Sequence, residues 1–567
     1  MEVRRMNAAT QHQLYRRTFA LAVILLGVAA IVVGRLAYLQ LRHTPAESSG
    51  NEVGPIEEFE PTRGNIYDCH GYLLAVANTV YDIGATPRNV TDTQVLADRL
   101  APLLAEPRAQ LLALLQQDSS YVLLKRGVSS EVAKTIMDWH VSGLQADSRP
   151  GRVYPHGMLA ACVLGFVTDD GKACYGLEGY YDELLTGKPG FRMATRDPLG
   201  SLLYQFRAPR HGVDLFLTLD RNMQYIVEAA LAKAVAANGA KRGIAIVMDP
   251  ASGAILAMAV YPTYDPNTRE VTDQSLFVNA AISEHYEPGS VFKIVTIASA
   301  LDAGVISPAS TYYDDGQIVV GGRVIKNAGG AAYGQTDIAD LLAYSLNVGA
   351  AHVSTKLGAL KFYEYVRRFG FGQLTGVDLA YEVPGWVRLP GDREWHESDL
   401  GTNAFGQGLA VTPLQMLCAV SAVANHGVMM HPYLVSRIVE GDKVTEFSPQ
   451  AVGQVVSPTA AAQVTEMLVY AVDKVLTLAA IPGYRIAGKS GTAQVPAPGG
   501  YDPNETIASF TGYAPADDPK FAILIVLDRP QKEHWGIRAA APVFREITQQ
   551  LLALLAIPPD RVRASMQ

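Results

Sequence analysis

Ser290 and Lys293 stand three residues apart in EPGSVFKIVTIASAL, residues 287–301. At that spacing a hydroxyl and an amine share one face at the start of a helix. Their neighbours are apolar, with Ile294, Ile297, Ala298 and Leu301 at the i, i+3, i+4, i+7 positions of a helix face. A buried ammonium is costly unless it is paired or loses its proton. A lysine without its proton is a base, and a serine beside a base is a nucleophile. A lone S-x-x-K is more often a plain helix start with a snorkelling lysine, so the rest of the chain must decide.

Two further short motifs follow. YSLNVGA holds S-x-N at Ser345 and Asn347, and AGKSGTAQ holds K-S-G at Lys489, Ser490 and Gly491. The second puts a cation and a hydroxyl on a strand, beside a glycine that lets a ligand approach the backbone. Spaced about 55 and about 140 residues apart, S-x-x-K, S-x-N and K-[ST]-G in this order are a specific signal for serine acyl transfer. A second S-x-N, Ser49-Gly50-Asn51, lies in a polar stretch and carries no such context. GYRIAGKS, residues 483–490, also matches the phosphate-binding P-loop pattern, and AILIVLD ends at Asp528 much as a Walker B strand would. The P-loop needs a helix behind it. Here the spacer Tyr-Arg-Ile-Ala reads as strand, and Gly491, Pro496, Pro498, Gly499 and Gly500 leave no room for a helix. Nucleotide binding is therefore not expected.

The elements that must carry these residues are legible in outline. LTLDRNMQYIVEAALAKAVAA reads as a helix, and RGIAIVMDPASGAILAMAVYP as a hairpin turning at Pro250–Gly253. Residues 335–430 are mainly helical in pattern, with a loop-rich section around EVPGWVRLPGDREWHESD. YRIAGKSGTAQVP, ASFTGYAP and KFAILIVLD read as three strands joined by PAPGGYDPN and ADDP, and APVFREITQQLLALLA closes as a helix. The fold class is α+β: an antiparallel sheet with helices packed on it. Upstream, residues 61–220 mix short strands with the amphipathic stretch VLADRLAPLLAEPRAQLLALLQQ and show no catalytic cluster.

TFALAVILLGVAAIVVG, from Thr18, is free of charge, and with RLAYLQL it is long enough for a bilayer, which takes about 20 residues. Arg4, Arg5, Arg16 and Arg17 precede it, which orients the N-terminus to the cytoplasm. No A-x-A cleavage site follows closely, so an uncleaved single-pass anchor is expected, with the bulk of the chain outside the cytoplasm. The expected division is a cytoplasmic tail (1–17), anchor (18–40), stalk and mixed pedestal domain (41–220), catalytic domain (221–560) and C-terminal tail (561–567). A net charge of −8 argues against nucleic acid as a partner. Cys69, Cys162, Cys174 and Cys418 form no zinc spacing, and whether Cys162 and Cys174 are bridged stays open. No H-E-x-x-H and no calcium loop appears, so neither metal nor cofactor is expected.

With the three motifs in place, the chain resembles a class B penicillin-binding protein, a membrane-anchored monofunctional peptidoglycan D,D-transpeptidase. RLAYLQ, RGNIYD, GYLLA, YEPGSVFK, GQGLAVTPLQM and AGKSGTAQ are all similar to family landmarks, and the resemblance covers almost the whole chain. Cys69 departs from it, standing where the family usually has arginine. YEPGS before the helix is similar to the division-type, septal branch more than to the elongation branch. The substrate implied is a stem peptide ending in D-Ala-D-Ala, with β-lactams as mimics. The resemblance implies Ser290 as nucleophile, Lys293 as its base, Ser345 as proton relay, Asn347 as substrate amide contact and Lys489 as a source of positive potential. Ser490, Gly491 and Thr492 would bind substrate, and the backbone N–H groups of Ser290 and Thr492 would form the oxyanion hole. Glu364, Glu382, Glu394 and Glu397 are not in the context of a deacylating glutamate, so slow hydrolysis is expected. A membrane-embedded glycan polymerase and other division proteins are the partners the resemblance implies. A D,D-carboxypeptidase, a β-lactamase or a non-catalytic β-lactam sensor would share the motifs, but the long pedestal and the anchor favour the transpeptidase over the two hydrolases. The sensor is disfavoured by the short N-terminal tail, which offers no intracellular output.

Overall fold

A computed structural model describes residues 8–42, 57–196, 202–268, 272–497 and 499–566. Most of the expected stalk, together with Arg4 and Arg5, lies outside the described residues. Helix α1 (Ala8–Arg42) contains a 20-residue apolar span, Phe19–Tyr38, none of it buried by the protein. The chain forms two units: residues 1–60 with 189–210, and residues 61–188 with 211–567. The first holds α1 and a small antiparallel sheet of Glu57–Phe59, Gly190–Arg196 and Leu202–Arg207.

In the second unit, β1 (Ile66–Tyr67), β2 (Leu73–Ala85), β3 (Val122–Val128), β4 (Leu144–Val153) and β5 (Asp214–Leu217) make a mixed sheet. Val435–Glu440, far downstream, pairs antiparallel with β5, and Lys443–Glu446 pairs with it in turn as the seventh strand. The amphipathic stretch expected near residue 100 is two helices, Thr93–Leu104 and Arg108–Leu115, because Pro107 cannot continue the first. Buried Leu96, Leu100, Leu111 and Leu115 close a core there of their own.

The K-S-G motif lies on a five-stranded antiparallel sheet, and the other two motifs lie on the helices beside it. After α2 (Arg221–Asn238) come β6 (Arg242–Met248) and β7 (Ile255–Tyr261), the hairpin anticipated from Pro250–Gly253. The other strands are β8 (Ala487–Ala497), β9 (Gly500–Ala514) and β10 (Phe521–Asp528), in the order β7-β6-β10-β9-β8. On one face Ala245, Val247, Ile523 and Ile525 pack against α2 and the last long helix, Ala541–Leu554. On the other, Ile244, Ile246, Leu524 and Val526 join the core built by the central helices. Both faces are covered, which is why β10 reads as an unbroken apolar run instead of an alternating one.

Two local expectations change. Ser290 stands on a 3₁₀ turn, Gly289–Phe292, which leads into α3 (Lys293–Asp302), because Pro288 and the positive φ of Gly289 (58°) set a tighter entry. The spacer Tyr484–Ile486 is not strand: β8 starts only at Ala487, after a turn. The four cysteines are free thiols.

Candidate active site

The nucleophile turn is held by backbone. Gly289 N donates to Gly406 O at 3.0 Å, and Tyr286 N donates to Val411 O at 2.9 Å. A Cβ at Gly289 would stand 3.0 Å from Thr492 O, and one at Gly491 would stand 3.0 Å from Val291 Cγ1 and 2.4 Å from Ser509 Oγ. Only glycine permits so close an approach of the turn to β8. That contact also orients Thr492. Its carbonyl faces the nucleophile turn, and within a strand the N–H of the same residue points the same way.

S-x-N is the junction of two helices. α4 (Ile338–Tyr344) stops at Ser345, and α5 (Asn347–Leu357) begins two residues later. Ser345 has φ 61° and ψ 44°, the left-handed conformation that costs a non-glycine residue about 1 kcal/mol or more. This backbone presents both of its oxygens to the lysines. Ser345 O accepts from Lys293 Nζ at 2.6 Å, and Ser345 Oγ accepts from Lys489 Nζ at 2.9 Å. Upstream, Asn327 Oδ1 accepts from Val348 N at 3.0 Å, while its Nδ2 donates to both carboxylate oxygens of buried Asp314. The pair fixes the start of α5.

Lys293 Nζ has four oxygen neighbours: Ser290 Oγ at 3.0 Å, Ser345 O at 2.6 Å, Asn347 Oδ1 at 2.8 Å and Ser345 Oγ at 3.3 Å. Two of these are carbonyls and can only accept. A neutral amine gives its two N–H groups to those carbonyls and turns its lone pair to a hydroxyl. Ser290 Oγ stands where that lone pair can take its proton. Lys293 and Lys489 are both fully buried, and among the described residues neither forms an ion pair with a carboxylate. Burial, reinforced by the charge of Lys489, holds Lys293 well below the ordinary lysine range. Burial alone lowers Lys489 to about 7.

The sequence-predicted residues therefore converge. Ser290, Ser345, Asn347, Ser490 and Thr492 line one cleft of about 1030 Å³, with Lys293 and Lys489 beneath. Asn347 Oδ1 accepts from Lys293 and Nδ2 donates to Lys326 O at 3.2 Å, which leaves one amide N–H for a ligand. Thr492 Oγ1 accepts from Gly536 N at 3.0 Å, so its own O–H remains to donate. Gly491 lines no part of the cleft, and its task is the close packing just described. Glu364, Glu382, Glu394 and Glu397 are absent from the lining. Glu364 pairs with Arg368, and Glu382 accepts from Thr375 and Gly376.

Other lining residues were not anticipated. Arg323 and Lys326 come from a short hairpin of Gln317–Val320 and Arg323–Lys326, and His534 and Trp535 come from the segment before Gly536. Glu287, buried just ahead of the turn, accepts from Gly408 N at 2.9 Å and from Tyr501 Oη at 3.0 Å. It ties together the nucleophile turn, the glycine loop 406–408 and the β8–β9 hairpin. Glu287 stands beside Glu284 and His285 ahead of the apolar run, so nothing local marked either it or Tyr501 as a tie.

A family described as the penicillin binding protein transpeptidase domain matches residues 243–549, and a penicillin-binding protein dimerisation domain matches residues 58–217. Stage V sporulation protein D of Bacillus subtilis is 32% identical, over 95% of this chain and 86% of its own. Peptidoglycan D,D-transpeptidase FtsI of Escherichia coli K12 is 30% identical, over 94% of this chain and 90% of its own. The crystal structure of penicillin binding protein 3 from Mycobacterium tuberculosis, complexed with aztreonam, superposes with a TM-score of 0.70 at 28% identity, covering 89% of this chain and 98% of that one.

Proposed function

The chain belongs to the class B penicillin-binding proteins, and on that premise we propose that Ser290 is the residue its peptidoglycan D,D-transpeptidase activity acylates. The family binds peptidoglycan stem peptides and β-lactams, and α1 makes this a single-pass membrane protein. The observation that carries the residue assignment is the 3.0 Å separation of Lys293 Nζ from Ser290 Oγ, in a setting that favours the neutral amine.

Ser290 Oγ attacks the penultimate D-Ala carbonyl while its proton passes to Lys293. The tetrahedral oxyanion is received by the N–H groups of Ser290 and Thr492, donors worth about 3 kcal/mol each in comparable sites. Collapse breaks the peptide bond to the terminal D-Ala. Its amine takes a proton relayed from Lys293 through Ser345 Oγ, which lies 3.3 Å from Lys293 Nζ and 2.9 Å from Lys489 Nζ. Lys489 supports the developing negative charge, and the hydroxyls of Ser490 and Thr492 hold the terminal carboxylate. Asn347 donates to the substrate backbone through its remaining N–H. The acyl-enzyme then passes to the side-chain amine of a second stem peptide, which gives the crosslink. Among the lining residues no carboxylate stands ready to activate water, which supports slow hydrolysis.

The septal role is our reading of YEPGS. It carries with it a glycan polymerase and division proteins as partners, while the arginines ahead of α1 support an N-terminus in the cytoplasm and the sequence pattern supports a pedestal (41–220) and a transpeptidase region (221–560). The central assignment is tested by intact mass after exposure to benzylpenicillin. Wild type gains one adduct of the antibiotic's full mass that lasts for hours, and Ser290→Ala gains none. An adduct on Ser290→Ala removes the assignment.

A further inference from the structure

The turn between β1 and β2 and the cap of α2 bring a thiol, an imidazole and a carboxylate together, outside the motif set. Gly71 N donates to Asp68 O at 3.1 Å, which closes the turn and leaves Cys69 and His70 at its two corners. Asp68 Oδ1 accepts from His70 N at 2.9 Å and from Tyr72 N at 2.8 Å. Cys69 N donates to Leu219 O at 3.0 Å, and this bond seats the turn against the residue that opens α2. That residue, Asp220, uses its two oxygens differently. Oδ1 caps the helix, accepting from Asn222 N and Met223 N, while Oδ2 faces away from it, 2.9 Å from His70 Nε2.

One ligand atom from each of Cys69, His70 and Asp220 falls within 4.8 Å of the others. Tetrahedral coordination at about 2.0 to 2.3 Å needs ligand edges of about 3 to 4 Å, which side-chain rotation of the two exposed corner residues can reach. Charge is the second observation. Asp68 is wholly buried and Asp220 nearly so, yet among the described residues no lysine or arginine forms an ion pair with either. His70 is the partner Asp220 has. Asp68 accepts from the backbone N–H groups of His70, Tyr72 and Arg221, and Asp220 from two backbone N–H groups and the His70 ring, so amides and one imidazole face these two acids and a cation would neutralise them. The donor set decides the class. Calcium and magnesium take oxygen shells, whereas sulfur, nitrogen and oxygen together suit a borderline-soft divalent ion.

We propose that Cys69, His70 and Asp220 bind one zinc-class divalent cation, with solvent in the fourth position, and that the ion pins the β1–β2 turn to the N-terminus of α2.

The test uses the full-length protein in detergent, stripped with a chelator and titrated with Co²⁺, whose coordination by thiolate gives a charge-transfer absorption. The band saturates at one equivalent, Zn²⁺ abolishes it, and Zn²⁺ raises the melting temperature. Cys69→Ser lacks the band, His70→Ala binds at least about tenfold more weakly, and Cys174→Ser is unchanged. No band on wild type that is folded by circular dichroism overturns the proposal, as does a band that survives in Cys69→Ser. Should Cys69→Ser not fold, alkylation of Cys69 in wild type reads the same ligand: slowing by Zn²⁺ supports the site, and an unchanged rate overturns it.

Discussion

Ser345 Oγ accepts a hydrogen bond from Lys489 Nζ at 2.9 Å, across 144 residues of sequence. The contact requires the left-handed backbone of Ser345 (φ 61°), which stability alone would assign to glycine. Ser345→Ala and Ser345→Gly should both slow benzylpenicillin acylation by about 100-fold, the size of a lost proton relay. They should differ in stability. The glycine variant is freed of the left-handed strain and should exceed the alanine variant by about 1 kcal/mol in denaturant unfolding. Equal stability of the two would mean that the strain is not carried by this residue.

Lys489 gives the protein a pH signature. Its folded pKa of about 7 lies below the 10.5 of a free lysine, so between those values the unfolded chain binds the extra proton. Stability then rises with pH across that window and is lost as pH falls through 7. The span corresponds to about 5 kcal/mol as an upper limit. Lys489→Met should flatten the rise, as read from urea midpoints between pH 6 and 10. The acylation rate of wild type should show a falling limb near pH 7, where Lys489 sheds the charge that supports the oxyanion. A limb that persists in Lys489→Met would assign it elsewhere.

Gly406 is a packing constraint on the nucleophile itself. A Cβ there would lie 2.2 Å from Gly289 O, on a backbone with φ 78°. Gly406→Ala should cost about 2 to 3 kcal/mol. The protein that remains folded should still acylate slowly, because the turn carrying Ser290 must shift to admit the methyl group. Thermal unfolding and acylation rates, both below the melting temperature, check the two halves.

The Glu287 tie should separate into a weak and a strong part. Tyr501→Phe removes one hydrogen bond at the hairpin end and should cost about 1 kcal/mol with little change in acylation. Glu287→Ala also strands the buried Gly408 N–H and loosens the loop that grips Gly289, so acylation should fall by tenfold or about that. Glu287→Gln keeps an acceptor for Gly408 N and should recover most of the rate.

The catalytic residues were readable because each motif is local: three residues set the face of S-x-x-K, and one glycine marks where K-S-G packs against the nucleophile turn. The lures were local too. GYRIAGKS has the letters of a phosphate loop, but Gly491 continues an edge strand and no helix follows it. What could not be read is what long separations decide. Val435–Glu440 joining the sheet of β5, Tyr501 reaching Glu287, and Asp220 facing His70 all depend on how distant segments dock. Even the 3₁₀ entry at Ser290, although local, follows from Gly289 being pressed against Gly406 and Thr492.

The end position of β8 has one more consequence. Its neighbour on one side is β9, while on the other its carbonyls at Ser490 and Thr492 turn to Lys489 and to the nucleophile turn. Such an unpaired border is ordinarily an aggregation hazard, and proteins blunt it. Here it is left as a template. On the function we propose, an extended stem peptide laid along it would become a sixth strand, recognised by main-chain atoms that every amino acid shares. Grip and selectivity are thereby uncoupled. The backbone holds whatever chain is offered, and the cleft's side chains alone discriminate, so the enzyme's taste in peptides can drift by substitutions that never touch its hold on them.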